Sequence, residues 1–142
     1  MYNLSMSDQT TTQNAMKKKI LLVDDDKFLL DMYVIKFSKS NYDVKTADST
    51  DAGLRLVRDG FIPDVMLVDI VMPGMDGLQL VSTIRQEKLA PNAIVIMLTN
   101  QGASDDISNA KRMGVDGYIV KATTIPSEVL AEVERIINSK QK

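Results

Sequence analysis

The amino-acid sequence predicts an α/β fold in which five βα units build a parallel, doubly wound sheet with helices on both faces. From residue 19 onwards, short apolar runs rich in β-branched residues alternate with longer segments of helical periodicity. Four of these runs are continuously apolar, which is typical of strands that are buried on both faces. Parallel strands also need crossover connections, and the helical segments supply them.

Five runs are predicted strands. Four of them are apolar throughout and bounded by Asp, Asn, Gly or Pro, at residues 20–23, 65–68, 93–98 and 118–120. The remaining run, residues 42–47, alternates instead, with Val44 and Thr46 on the opposite parity to Asp43 and Lys45. This alternation predicts an outer strand with one exposed face.

Five helices are predicted between and after these strands, at residues 27–39, 50–59, 77–87, 104–113 and from Pro126 onwards. Start signals accompany several of them, since Asp26 and Ser49 are suited to cap a helix and Pro126 suits a first turn. Gly60 and Gly114 follow two of the segments as stop signals.

The composition excludes several classes of chemistry. Among 142 residues there are no Cys, His or Trp, so the chain offers no disulfide, no thiolate and no imidazole. Any catalysis must use carboxylates, Lys, hydroxyls or a hard metal ion. The 17 basic and 19 acidic residues give a net charge of −2, which argues against a nucleic-acid surface because such surfaces are usually basic.

The domain organisation follows from polarity along the chain. Residues 1–18 are expected to form a disordered polar tail, residues 19–139 one domain, and residues 140–142 a short polar tail. The basic start at residues 17–19 precedes only four apolar residues before three Asp, which is too short for a signal peptide. No segment reaches the roughly 18 apolar residues of a membrane span. We therefore expect a cytoplasmic protein that does not associate with membranes.

Chemically active side chains follow the predicted inner strands. Asp24, Asp25 and Asp26 follow the first strand, and the third, fourth and fifth strands end in the residues Asp69, Thr99 and Lys121. In a parallel sheet these positions converge on one edge, where such folds bind ligands. Clustered carboxylates without His or Cys favour Mg²⁺ or Mn²⁺. A carboxylate beside such an ion, with an ammonium and a hydroxyl nearby, can accept a phosphoryl group.

Each of these residues also has an ordinary structural interpretation. The three Asp residues can cap the following helix, with Asp26 as the cap itself. Asp69 and Thr99 can open turns, and Lys121 can be a solvated surface residue. Because four successive inner strands all end in groups that one phosphoryl site needs, the combination favours the functional interpretation.

Four segments resemble a known family at this point. They are Ile-Leu-Leu-Val-Asp-Asp-Asp at residues 20–26, Pro-Asp-Val-Met-Leu-Val-Asp-Ile-Val-Met-Pro-Gly-Met-Asp-Gly at residues 63–77, residues 94–99, and Gly-Tyr-Ile-Val-Lys at residues 117–121. In this order and spacing, they resemble a receiver domain of the bacterial two-component response regulators, of the single-domain type. The resemblance covers residues 19–138 and implies the flavodoxin-like receiver fold with strand order 2-1-3-4-5.

The resemblance implies specific roles at the strand ends. Asp69 would be the phosphoacceptor. Asp25 and Asp69 would bind Mg²⁺ directly, together with the backbone carbonyl of Val71, and Asp24 would act mainly through water. Mn²⁺ is the alternative ion.

Two further residues and a switch are implied in the same way. Thr99 and Lys121 would hold the phosphoryl oxygens. After phosphorylation Thr99 would move inward and Tyr118 would follow, which would reshape the surface of the fourth helix, the fifth strand and the fifth helix. Tyr118 can equally be an aromatic residue that only packs against a helix.

The implied partners are proteins. The phosphoryl donor would be a phosphohistidine on a sensor histidine kinase or a histidine phosphotransfer protein, since this chain has no His. The output would pass to a downstream protein, unless the chain is a fragment of a longer regulator. We expect a monomer or weak dimer, and a signalling phosphoacceptor, which promotes its own phosphorylation and dephosphorylation, rather than an enzyme.

Two departures from the family pattern leave alternatives open. Ala122 stands where the family usually has Pro after a cis bond, and Asn100 stands where the residue is usually small. They favour, as one alternative, a receiver-like interaction module that does not depend on phosphorylation. The other alternative is a phosphatase of the haloacid dehalogenase type with Asp24 as nucleophile. It fits less well, because Phe28 stands where that pattern requires Thr or Val.

Overall fold

The computed structural model describes residues 17–100, 104–121 and 124–140. The strands are β1 (Lys18–Val23), β2 (Tyr42–Ala47), β3 (Val65–Asp69), β4 (Ile94–Thr99) and β5 (Gly117–Val120). The helices are α1 (Lys27–Lys39), α2 (Thr50–Arg58), α3 (Gly77–Gln86), α4 (Ser104–Arg112) and α5 (Pro126–Lys140). The elements therefore extend one residue beyond each end of the expected domain, and the outer parts of both expected tails lie outside the described residues.

The strands form one parallel sheet in the order β2-β1-β3-β4-β5. The predicted fold class and strand order are confirmed. Successive connections run from β1 outwards to β2, and then back across to β3, so the direction reverses between β1 and β3. Val23 pairs with Val68 in this register, which places the residues that follow them, Asp24 and Asp69, side by side at the reversal point.

Two apolar layers hold the helices against the sheet. Leu21, Val23, Met66, Val68 and Met97 face α2, α3 and α4, while the alternate strand residues face α1 and α5. Because both faces are covered, β1, β3 and β4 are buried almost throughout. This explains why their sequences are continuously apolar.

Local signals in the sequence account for most helix starts. Asp26 caps α1 by accepting a hydrogen bond from the backbone N–H of Leu29, and Ser49 caps α2 in the same way. In the outer strand β2, Val44 packs against the core, whereas Asp43, Lys45 and Thr46 are exposed. Thr46 lies at the end of the outer strand, where it lines an open cleft with Lys27 instead of being covered by α1. Among the described residues, no helix is long and apolar enough to cross a membrane.

Candidate functional site

Three carboxylates meet at the carboxyl edge of the sheet. Asp24 follows β1, Asp25 follows Asp24, and Asp69 ends β3; one oxygen from each lies within 4.8 Å of the others. Asp24 and Asp69 are buried, whereas Asp25 is exposed. The sheet register produces this cluster, because β1 and β3 are neighbours and end at the same level.

Lys121 joins two of these carboxylates. Its ammonium Nζ donates to Oδ1 of Asp24 at 2.9 Å and to Oδ2 of Asp69 at 3.0 Å. The side chain reaches the cluster from the end of β5, two strands away from β3. The structure thus brings together Asp24, Asp25, Asp69 and Lys121 as the sequence predicted.

Burial sets the charge balance of the site. Burial raises the pKa of the Asp69 carboxyl above its ordinary value of 3.8, and the hydrogen bond from Lys121 offsets only part of this rise. Burial also lowers the pKa of Lys121, but hydrogen bonds to Asp24 and Asp69 outweigh it and raise that pKa above 10.5. The ammonium therefore stays charged, while the carboxylates are incompletely neutralised.

The donor set fits a hard divalent cation. Oδ2 of Asp24 is buried and has no hydrogen-bond partner in the described part of the chain, although Lys121 Nζ forms an ion pair with it at 2.8 Å. Three carboxylates face a single ammonium, so negative charge remains to be balanced. Oxygen ligands of this kind are those that Mg²⁺ and Mn²⁺ prefer.

The loop after Asp69 turns tightly back onto the strand end. The backbone N–H of Val71 lies beside the Asp69 carboxylate and lowers its pKa, which offsets part of the effect of burial. The N–H of Gly77 donates to the carbonyl of Ile70 at 2.8 Å. A Cβ on Gly77 would lie 2.1 Å from the carbonyl oxygen of Asp69. Only glycine permits this approach. Gly77 was not predicted as a site residue, although its place at the end of the Met-Pro-Gly-Met-Asp-Gly run is a sequence signal for such a position.

Thr99 ends β4, and Tyr118 lies on the neighbouring strand β5. The Thr99 hydroxyl is buried and donates to the carbonyl of Ile119 on β5 at 3.4 Å. Tyr118 is 38% exposed, and Lys111 Nζ of α4 lies 5.6 Å from the centre of its ring. In this structure the Thr99 hydroxyl is thus bonded to β5, and the ring of Tyr118 contacts α4.

The structure describes one of the two residues that depart from the family pattern, Asn100, but not the other, Ala122. Asn100 is exposed directly after β4. Ala122 and the bond that joins it to Lys121 lie outside the described residues.

Comparison with known proteins agrees with the geometry. The family model of the response regulator receiver domain matches residues 20–134 of this sequence. The chain belongs to this family. Among solved structures, a CheY-like receiver domain protein from Methanospirillum hungatei superimposes with a TM-score of 0.75 and 28% identity, covering 88% of this chain and 98% of that one. Chemotaxis protein CheY4 of Vibrio cholerae gives a TM-score of 0.76 at 26% identity, over 84% and 98% of the two chains.

Curated relatives are longer than this receiver. The alkaline phosphatase synthesis transcriptional regulatory protein PhoP of Bacillus subtilis is 32% identical over 122 residues, which is 86% of this chain and 49% of that protein. The chain spans about half the length of the first curated relatives that it matches. It is a receiver domain of the two-component response regulators, with an acidic cluster of the kind at which receivers bind Mg²⁺.

Proposed function

We propose that this receiver accepts a phosphoryl group on Asp69 from a phosphohistidine of another protein. The observation that carries the proposal is the position of Lys121, whose ammonium bonds both Asp24 and Asp69 within a three-carboxylate cluster. One fixed cation beside a buried carboxylate, at the reversal point of the sheet, is the arrangement that phosphoryl transfer needs.

The transfer uses the groups already in place. An oxygen of Asp69 attacks phosphorus while the bond from phosphorus to the donor's imidazole nitrogen breaks, so the electron pair leaves with the imidazole. Lys121 stabilises negative charge on the equatorial oxygens. Asp24, Asp25 and Asp69, with the carbonyl of Val71, are the residues that would hold Mg²⁺, which neutralises the approaching phosphoryl charge when it is bound.

A changed surface would carry the signal. To reach a phosphoryl oxygen, the Thr99 hydroxyl must give up its long hydrogen bond to Ile119 on β5. We expect Tyr118, which now lies partly exposed under Lys111, to follow this movement. Phosphorylation would thereby alter the surface of α4, β5 and α5, to which a downstream protein would bind.

The experiment compares phosphorylation of the wild type with three variants. Purified protein is incubated with acetyl phosphate and Mg²⁺, and the mass increase of one phosphoryl group is followed over time. We expect labelling of the wild type, none in Asp69→Asn, and none when a chelator removes Mg²⁺. Thr99→Ala and Lys121→Met should be labelled slowly. Equal labelling with and without chelator would contradict the proposed role of the ion.

The biological setting stays a prediction. We propose a sensor histidine kinase or a histidine phosphotransfer protein as donor, since the chain carries no His of its own. A cytoplasmic location and a monomeric or weakly dimeric state are expected for a receiver that meets such a donor.

A further inference from the structure

A buried hydroxyl outside the acidic cluster contacts the loop that follows the phosphoacceptor. Thr50 is only 2% exposed, and its hydroxyl donates to the backbone carbonyl of Met75 at 2.9 Å. Met75 directly precedes Asp76, the residue that caps α3. The contact therefore ties the start of α2 to the far end of the loop that leaves β3.

The hydroxyl of Thr50 is not needed within its own helix. Thr50 is the first residue of α2, and Ser49 already caps that helix by accepting from the backbone N–H of Ala52 at 3.1 Å. A hydroxyl at the start of a helix most often serves as the cap. The Thr50 hydroxyl instead bonds a different segment, the loop that contains Met75.

The loop between β3 and α3 combines buried apolar side chains with an exposed stretch. Three of its residues are exposed, namely Val71, Pro73 and Gly74. Ile70 and Met72 are buried in the core, Met75 packs against it in part, and the hydrogen bond from Gly77 to the carbonyl of Ile70 joins the two ends of the loop. The bond from Thr50 adds a polar anchor from another helix, at Met75 and next to the exposed stretch.

We propose that Thr50 is a positioning residue of the phosphorylation site. By fixing Met75, it holds the loop in the shape that keeps the N–H of Val71 beside the Asp69 carboxylate. The inference rests on the proposed function in one respect, because the carbonyl of Val71 is the proposed backbone ligand of Mg²⁺. Groups that orient metal ligands from outside the site usually matter for metal affinity.

The test uses variants that separate the hydrogen bond from the volume of the side chain. Thr50→Val keeps the shape but removes the donor, Thr50→Ala is a second variant without the hydroxyl, and Thr50→Ser restores the donor. Thr83→Val is the matched control, since the Thr83 hydroxyl donates to the carbonyl of Gln79 within its own helix, α3. Melting temperature and far-ultraviolet circular dichroism establish that each variant is folded.

Two readouts do not depend on phosphorylation. Titration with Mn²⁺, followed by electron paramagnetic resonance, gives the affinity for the metal alone. Amide hydrogen exchange without metal reports the opening of residues 71–75. We expect Thr50→Val and Thr50→Ala to weaken Mn²⁺ binding by about three- to tenfold, the size of one lost hydrogen bond, and to speed exchange in the loop. In Thr50→Ser and Thr83→Val, the Mn²⁺ affinity and the exchange rate of the loop should stay within about twofold of the wild-type values, which is below the effect of one lost hydrogen bond.

The outcomes distinguish this inference from the proposed function. If Thr50→Val and Thr50→Ala bind Mn²⁺ and exchange their loop amides as the wild type does, the proposed role of Thr50 is overturned. It is also overturned if Thr50→Ser is as impaired as Thr50→Val. Failure of the wild type to be labelled by acetyl phosphate would overturn the proposed function instead. In that case, Mn²⁺ affinity and exchange would still decide whether Thr50 positions the loop.

Discussion

Lys121 Nζ lies 3.0 Å from Oδ2 of Asp69, although 52 residues separate the two along the chain. β4 lies between the strands that carry them, so only the length of the lysine side chain allows the contact. The same ammonium bonds Asp24. The charge balance of the whole site therefore depends on this lysine.

Replacing Lys121 should impair phosphorylation and stability together. In Lys121→Met, we expect the rate of labelling by acetyl phosphate to fall by about 10²- to 10³-fold, the usual effect of losing one group that stabilises transition-state charge. The melting temperature without metal should also fall, because two buried carboxylates lose their cation. Lys111→Met makes the same chemical change on α4 and should leave labelling within about twofold, as expected for a surface charge. A wild-type rate in Lys121→Met would contradict the assigned role.

The raised pKa of Asp69 predicts a pH-dependent stability difference. Since the folded state raises this pKa above 3.8, it favours the protonated carboxyl, and stability is lost as the pH rises through the raised value. Asp69→Asn resembles the protonated form, so with a chelator present it should melt at a higher temperature than the wild type at neutral pH. The difference should shrink as the pH falls towards 3.8. Equal melting temperatures at neutral pH would show that Lys121 fully compensates the charge.

The close approach of Gly77 to Asp69 predicts a local packing defect on substitution. Gly77→Ala places a Cβ 2.1 Å from a backbone carbonyl oxygen, so the strand end or the start of α3 must move. We expect the free energy of unfolding in urea to drop by about 1–3 kcal/mol, with slower labelling of Asp69. Gly53→Ala is the control, since its Cβ would be 3.3 Å from a Val23 side chain. Gly53→Ala should lower the free energy of unfolding clearly less than Gly77→Ala does. A larger loss in Gly53→Ala than in Gly77→Ala would contradict the assigned role of Gly77.

Tyr118 should respond to phosphorylation while a distant tyrosine does not. The chain can be labelled with fluorotyrosine, and Tyr118→Phe assigns the resonance among the four tyrosines. We expect the ¹⁹F signal of Tyr118 to shift when Asp69 is phosphorylated, as the ring leaves its exposed position beside Lys111. The signal of Tyr42, which is buried in the other layer of the core, should stay in place. A static Tyr118 signal would exclude it from the switch.

The sequence predicted the fold well because its signals are local and the sheet is simple. Asp26 and Ser49 mark the starts of two helices, and strands that are buried on both faces must be apolar throughout. The bounds of α1 are those predicted, and the predicted ends of the other helices agree with the structure within one residue. The alternation in β2 predicted an outer strand, but it does not show how far along the strand the covered face extends, and Thr46 is exposed.

The acidic cluster was also predictable, because it follows from strand ends and parallel pairing. Contacts that depend on packing between distant segments were not. The lack of room for a Cβ at Gly77 and the hydrogen bond from Thr50 to Met75 both depend on how α2, α3 and the loop after β3 pack against one another. Nothing in the neighbouring sequence specifies those distances.

Mapping the phosphoryl group tests the central claim most directly. The wild-type protein is labelled with acetyl phosphate in the presence of Mg²⁺, digested at acidic pH and analysed by peptide mass spectrometry. We predict a single acyl phosphate on Asp69 and no label in Asp69→Asn. Label on another residue, or label that persists in Asp69→Asn, would contradict the assignment of Asp69 as the phosphoacceptor.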